Sequence, residues 1–148
     1  MARSTFASAG AGSQTSTDIG LLIVRLGCAV PLLAFHGGPR LLRAINYFVS
    51  GEPWGFVTMV EQMGLPYPLV FAVLSTLAES LGALLIAAGV FVRLAALVVA
   101  VNMTVAFVSE FLRGDPIELP GLFLSMALAL TLTGGGRYAL GRLISRRR

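Results

Sequence analysis

Three polar side chains lie within long aliphatic stretches of this sequence, and a fourth lies at the end of one. Arg25, Glu79 and Asn102 each interrupt a run of apolar residues, and His36 follows the first run. If these runs lie in lipid, each charged side chain raises the free energy of membrane insertion by about 2.5–3.5 kcal/mol. We therefore expect Arg25 and Glu79 to pair across one or two helical turns, with Asn102 facing the same interior.

Two interpretations of this polar cluster stay open at the level of the sequence. In the first, the groups only hold helices together: Arg25 pairs with Glu79, and Asn102 satisfies a remaining hydrogen bond. In the second, they form a pocket or a proton path for a quinone-like or other small ligand, because ionisable residues inside a membrane commonly mark functional sites. His36 then either caps carbonyl groups at a helix end or donates protons at the mouth of the pocket.

The sequence holds few residues suited to other chemistry. Cys28 is its one cysteine and His36 its one histidine. One copy of the chain can therefore build neither a disulfide, a Cys-x-x-Cys pair, a thiolate metal cage nor a haem site with two histidines. No nucleophile and base pair, metal-ligand cluster or phosphate-binding glycine loop is present as a motif. We predict no catalytic residue, no metal site and a protein that is not an enzyme by itself.

The composition indicates that lipid is the solvent of the apolar stretches. Hydrophobic residues make up 56% of the 148 residues and charged residues 12%, against about 25% charged residues in soluble domains. The mean hydropathy is +0.84. The net charge of +4 comes from arginines that mainly flank the apolar stretches. This distribution is typical of membrane topology rather than of nucleic-acid binding, so the expected partner is the lipid bilayer.

The apolar runs and the breaks between them predict an all-α fold, a bundle of four transmembrane helices. Each run is near the roughly 20 residues that cross a bilayer. The predicted spans are residues 19–36, 69–92, 94–112 and 117–133, within one membrane domain over residues 19–136. Residues 1–18 are small and polar and are predicted to be a disordered lead-in. Residues 137–148 are predicted to be a basic cytoplasmic tail.

The connection between the first two predicted helices, residues 37–68, is too polar to span a membrane and too long for a turn. It mixes charged with aromatic side chains. Such a mixture is typical of an interfacial, partly helical segment on the membrane surface, and we expect Trp54 and Tyr67 to be its aromatic anchors.

The arginines predict the orientation of the chain. Arg93 lies in the turn between the second and third predicted helices, and Arg137 follows the fourth, on the same side as both termini. Fewer arginines fall on the opposite side, at Arg40, Arg43 and Arg113. The positive-inside rule then places both termini in the cytoplasm and the protein in the inner (plasma) membrane.

Several short motifs follow one another in a set order after Asp18. They are Arg25-Leu26-Gly27, His36-Gly37 with Arg40-Leu41, Leu65-Pro66, Glu79 with Gly82, the turn from Gly89 to Arg93, Asn102-Met103 and Gly136-Arg137-Tyr138. In this order and spacing the chain resembles the DoxX-like family of small four-helix membrane proteins. One difference is that Arg40 stands where a lysine is usual.

The resemblance implies a four-span bundle that acts as a membrane subunit of an oxidoreductase system. It also implies a link to quinone, the one cofactor we expect, and partner proteins that supply electrons. Two alternatives stay open: a non-catalytic membrane anchor or assembly factor, and a small transporter. Association of the chain into a homo-oligomer is a further open hypothesis.

Overall fold

A computed structural model describes the backbone of residues 3–145 and the side chains of residues 14–142. Every regular element in this part of the chain is helical, which confirms the all-α class. Two of the elements are π-helical turns inside longer helices. The elements in chain order are α1 (Arg3–Pro31), the first π-helical turn (Leu32–Gly37), α2 (Gly38–Ser50), α3 (Gly55–Gln62), α4 (Pro68–Leu77), the second π-helical turn (Ala78–Gly82), α5 (Ala83–Ala88), α6 (Val92–Arg113), α7 (Glu118–Thr133) and α8 (Leu140–Ser145).

The first three elements form one continuous helix from Arg3 to Ser50. Two predictions are therefore wrong: the lead-in is helical from Arg3, and the first helix does not end at His36. The lead-in contains alanines and no proline, so a helix can extend backwards through it. The π-helical turn directly follows Pro31, which lacks a backbone N–H. An open break at this point in lipid would leave backbone groups without hydrogen bonds, whereas a π-helical turn keeps the chain helical.

The segment predicted to lie on the membrane surface, residues 37–68, is mostly helical and holds α2 and α3. Trp54 does not have the exposed position of an anchor, because only 3% of it is exposed. Its ring packs near those of Tyr47 and Phe56, with centroids 6.1 and 6.0 Å away. Tyr67, by contrast, is 77% exposed. Trp54 therefore joins α2 to α3 rather than marking the membrane surface.

Three helical runs in the described residues are long and apolar enough to cross a membrane: Gln14–Ser50, Pro68–Ala88 and Val92–Arg113. The chain is therefore a multi-pass membrane protein. The predicted breaks after the second and third helices are confirmed at Gly89 and Gly114, both left-handed with φ 75°, as is common for glycines that end helices. The fourth apolar helix, α7, has 16 residues and is shorter than the other three.

Small side chains form the centre of the bundle, where α6 lies against α7 and α1 against α5. Ala29, Ala83, Ala96 and Ala127 have no exposed surface. Small residues at such contacts allow membrane helices to approach closely. The opposite faces of the same helices carry exposed leucine, valine and phenylalanine side chains, which is the surface expected to contact lipid.

Candidate functional site

Arg25 does not pair with Glu79. Its Nη1 donates to the carbonyl oxygen of Gly135 at 3.0 Å and its Nη2 to that of Tyr138 at 3.3 Å. A methyl group added at Gly89 would lie 2.8 Å from the same Nη1. Arg25 is thus buried at the end of the bundle that holds Gly89 and the segment after α7, which we call the terminal end.

The predicted Arg25–Glu79 pair is wrong because the register of the first helix is shifted. Gly37, not Arg25, lies at the height of Glu79: a methyl group added at Gly37 would be 2.5 Å from the backbone oxygen of Glu79. Arg25 and Gly37 are twelve residues apart, which corresponds to about 18 Å along a helix. No side chain spans that distance.

The partner of Glu79 is Arg40. Its Nη1 donates to Glu79 Oε1 at 2.7 Å, and Asn102 Nδ2 donates to the same oxygen at 3.1 Å. The Glu79 side chain is 4% exposed and that of Arg40 26%. The Arg40 guanidinium also lies over the ring of Phe56, with Cζ 4.1 Å from the centroid, a favourable cation–π contact. We call Arg40, Glu79 and Asn102 the Glu79 triad; the prediction that Asn102 faces the same interior as Glu79 is confirmed.

Arg40 is the residue of this site that sequence reasoning missed. The sequence predicts Arg40 on the membrane side opposite the termini, because residues 37–68 are too polar to span a membrane. One signal was available: Arg40 follows His36 by four residues, so on a continuous helix the two share a face. Pro39 lies just after the first π-helical turn, and the chain stays helical through it.

Two π-helical turns hold the site together. The first contains His36 and Gly37, the second contains Glu79, and the two turns lie against each other. Gly37 has no room for a side chain next to the Glu79 backbone. In the second turn, Ser80 Oγ donates to the Thr76 carbonyl at 2.6 Å and so gives that carbonyl a partner. Such π turns often occur at functional sites.

A cavity of about 360 Å³ extends from the Glu79 triad between α3, α4 and α6. Along α6 its wall runs from Val98 to Arg113, which corresponds to about 22 Å. One end holds the triad and the other holds Glu110 and Arg113. The walls between the two ends are mostly apolar; they include Phe56, Met59, Val60, Met63, Leu65, Phe71, Leu74, Val98, Val101 and Val105. The shape suits an elongated, largely apolar molecule with a polar group at the triad.

His36 lies beside the triad but does not line the cavity. Its ring meets that of Phe123 edge to face, with centroids 5.8 Å apart, and its π-helical turn packs against the turn that contains Glu79. His36 Nδ1 is buried and has no hydrogen-bond partner among the described residues. Of the four residues predicted to form the polar cluster, the structure therefore brings Glu79, Asn102 and His36 together and leaves Arg25 apart.

The two arginines expected to mark topology and turns both lie at the terminal end. Arg93 is in the first turn of α6, where its Nε would be 3.3 Å from a methyl group added at Gly134. The backbone N–H of Arg137 donates to Asp18 Oδ1 at 2.8 Å. Together with Arg25, these contacts fix the segment after α7 against α1 and α6. The last three arginines of the predicted tail lie outside the described residues.

A family model described as DoxX matches residues 20–111. The chain belongs to the DoxX family. The match covers more than half of this DoxX protein and includes both π-helical turns, all of the Glu79 triad and His36. α7 and the segment bound by Arg25 lie outside it. No curated protein and no solved structure matches the chain.

Proposed function

We propose that this DoxX protein is a membrane subunit of an oxidoreductase system, and that its cavity binds the headgroup of a quinone. The observation that carries the proposal is the position of the Glu79 triad at one end of a cavity whose walls are mostly apolar as far as Glu110 and Arg113 at the other end. Sites for small molecules commonly combine apolar walls with a few well-placed polar groups. A quinone has the matching form, with two oxygens on an apolar ring and an apolar tail.

The side chains at the polar end fit both redox forms of such a headgroup. Arg40 donates one N–H to Glu79 and carries further N–H groups for a quinone oxygen, since a guanidinium has five donors. Glu79, as a carboxylate, accepts from a quinol hydroxyl. Phe56 and Met59 on α3 supply the apolar surface against which the ring packs.

A quinone, when bound, supplies the two-electron chemistry, and a partner protein carries the electrons. The residues of this chain hold the headgroup and handle its protons. With a headgroup bound, Glu79 would accept a proton and Arg40 would hold the headgroup oxygen beside it. The low polarity of the surrounding walls strengthens both interactions.

We also propose four membrane crossings, with α7 as the fourth and both termini in the cytoplasm at the inner membrane. α7 lies along α6 over its length, and its 16 residues correspond to about 24 Å, a short span that local thinning of the bilayer accommodates. Arg25, Arg93 and Arg137 all lie at the terminal end. Arg142 and three more arginines follow Arg137 in the sequence, so this side carries more arginines than the opposite side with Arg40, Arg43 and Arg113, which supports a cytoplasmic location for the terminal end.

Binding of a short-chain benzoquinone and its quinol to the purified protein tests the proposal. We expect the Glu79→Gln variant to bind the quinol at least about tenfold more weakly, since hydrogen bonds to charged groups contribute about 1.5–3 kcal/mol. Glu61→Gln is the matched control: Glu61 is an exposed carboxylate on α3 that does not line the cavity, so its loss should leave the affinity unchanged. Folded wild-type protein that binds neither form would overturn the proposal.

A further inference from the structure

Two buried polar atoms next to the Glu79 triad have no hydrogen-bond partner among the described residues: Glu79 Oε2 and His36 Nδ1. A buried polar atom without a partner loses the hydrogen bonds that it makes in water, and the loss is greater if the atom is charged. Native structures therefore pair nearly all such atoms, in many cases through an ordered water. The two atoms together indicate a polar site that the side chains alone do not complete.

The two atoms belong to side chains of the two π-helical turns, which pack against each other. Glu79 Oε1 is bonded to Arg40 and Asn102, so Oε2 is the oxygen of this carboxylate that still lacks a partner. The turns approach closely at Gly37, next to His36: a methyl group added at Gly37 would lie 2.5 Å from the Glu79 backbone oxygen.

A buried water molecule typically makes two to four hydrogen bonds to such groups. Glu79 Oε2 and His36 Nδ1 supply two of them.

We propose that a buried water molecule joins Glu79 Oε2 to His36 Nδ1, and that the two side chains form a proton relay leading from the cavity across the bundle. The relay would give His36 a role that its position outside the cavity does not otherwise explain. Its use in turnover rests on the proposed function, whereas the hydrogen-bonded contact between the two side chains does not.

Each transfer in this relay is balanced without an added reactant. The O–H bond of a ligand hydroxyl breaks, and its proton binds the Glu79 carboxylate. The proton then passes through the water to Nδ1 of a neutral imidazole that carries its own proton on Nε2. The carboxylate is restored, the imidazole becomes an imidazolium ion, and the ligand oxygen keeps its electron pair beside Arg40. His36 is a positioning residue for the proton and does not touch the ligand.

The chain has one histidine, so nitrogen NMR of protein labelled only in histidine reports on His36 alone. In lipid bilayers, and with no ligand present, we expect Glu79→Gln to change the shifts of both imidazole nitrogens. Glu110→Gln is the matched control, because Glu110 lines the far end of the same cavity; it should leave them unchanged. Unchanged shifts in Glu79→Gln, or equal changes in both variants, would overturn the relay.

A measurement on the wild-type protein keeps the inference testable if Glu79→Gln does not fold. Magnetisation transferred from water should reach Nδ1 of His36, since the proposed water is bonded to it. Lack of such transfer, while that to exposed side chains is observed, would exclude the water. Because neither spectrum needs a quinone, failure of the relay is distinguishable from failure of quinone binding.

Discussion

At the scale of single residues, the site depends on one enclosed carboxylate. Glu79 is 4% exposed and receives two hydrogen bonds on one oxygen, of which the shorter comes from Arg40. A buried charge that loses its partner keeps its desolvation cost without the attraction that offsets it. Arg40 therefore contributes more to this protein than a surface arginine does, although a quarter of its side chain is exposed.

The Arg40→Ala variant should accordingly be strongly destabilised. Removal of one partner from a buried pair costs about 3–5 kcal/mol, and we expect about 3 kcal/mol because Arg40 is partly exposed. The measurement is the free energy of unfolding in mild detergent. Arg113→Ala is the control, since Arg113 pairs with Asp115 at 2.9 Å but both side chains are exposed, by 37% and 52%. Such pairs contribute at most about 1 kcal/mol, and equal losses in the two variants would contradict this account of Arg40.

At the scale of elements, two π-helical turns in contact set the position of the Glu79 triad. Each turn lies in the middle of a long helix, and each shifts the residues after it relative to a regular α-helix. Arg40 follows the first turn and lies on the side of the helix that faces Glu79. The closest point between the turns is at Gly37, where the backbones touch.

Gly37→Ala should push the two turns apart. The added methyl group would lie 2.5 Å from the Glu79 backbone oxygen, and backbone cannot move aside at little cost. We expect the free energy of unfolding to fall by about 1–3 kcal/mol, the range for overpacked sites. Quinol binding should also weaken, because the triad is displaced.

Gly27→Ala is the matched control for this change. Gly27 lies in the same long helix, and nothing is within 4 Å of its added methyl group. Alanine there should stabilise the helix by up to about 1 kcal/mol. Thermal unfolding of both variants makes the comparison, and indistinguishable curves would show that the contact between the turns is unimportant.

The helices could be predicted from the sequence far better than the register of the first one. Apolar runs, and glycines such as Gly89, mark the second and third helices, and the spacing of polar residues placed Asn102 beside Glu79. Residues 37–68 are too polar for a membrane span, so the sequence predicts an end of the first helix at His36 and a surface position for Arg40. Trp54 was misplaced for a related reason: an aromatic residue in a polar segment fits both a membrane surface and the small buried cluster that α2 and α3 form.

At the scale of the whole molecule, Arg25 and Arg40 lie at different ends of the bundle and have different roles. Arg25 donates to two backbone carbonyls at the terminal end and holds the segment after α7 in place. Arg40 pairs with Glu79 near the opposite end of the first helix and faces the cavity. The terminal end is therefore built for stability, and the cavity is the part of the molecule with groups free to meet a ligand.

Photoaffinity labelling with an azidoquinone in lipid bilayers tests the central claim most directly, because it maps where the headgroup lies. The account predicts labelled peptides from α3 and from the part of α6 that lines the cavity, near Met59 and Val105. It also predicts that excess quinol prevents this labelling. Labelling confined to outward, lipid-facing residues such as Leu122 and Leu132 on α7, with no protection by quinol, would contradict it.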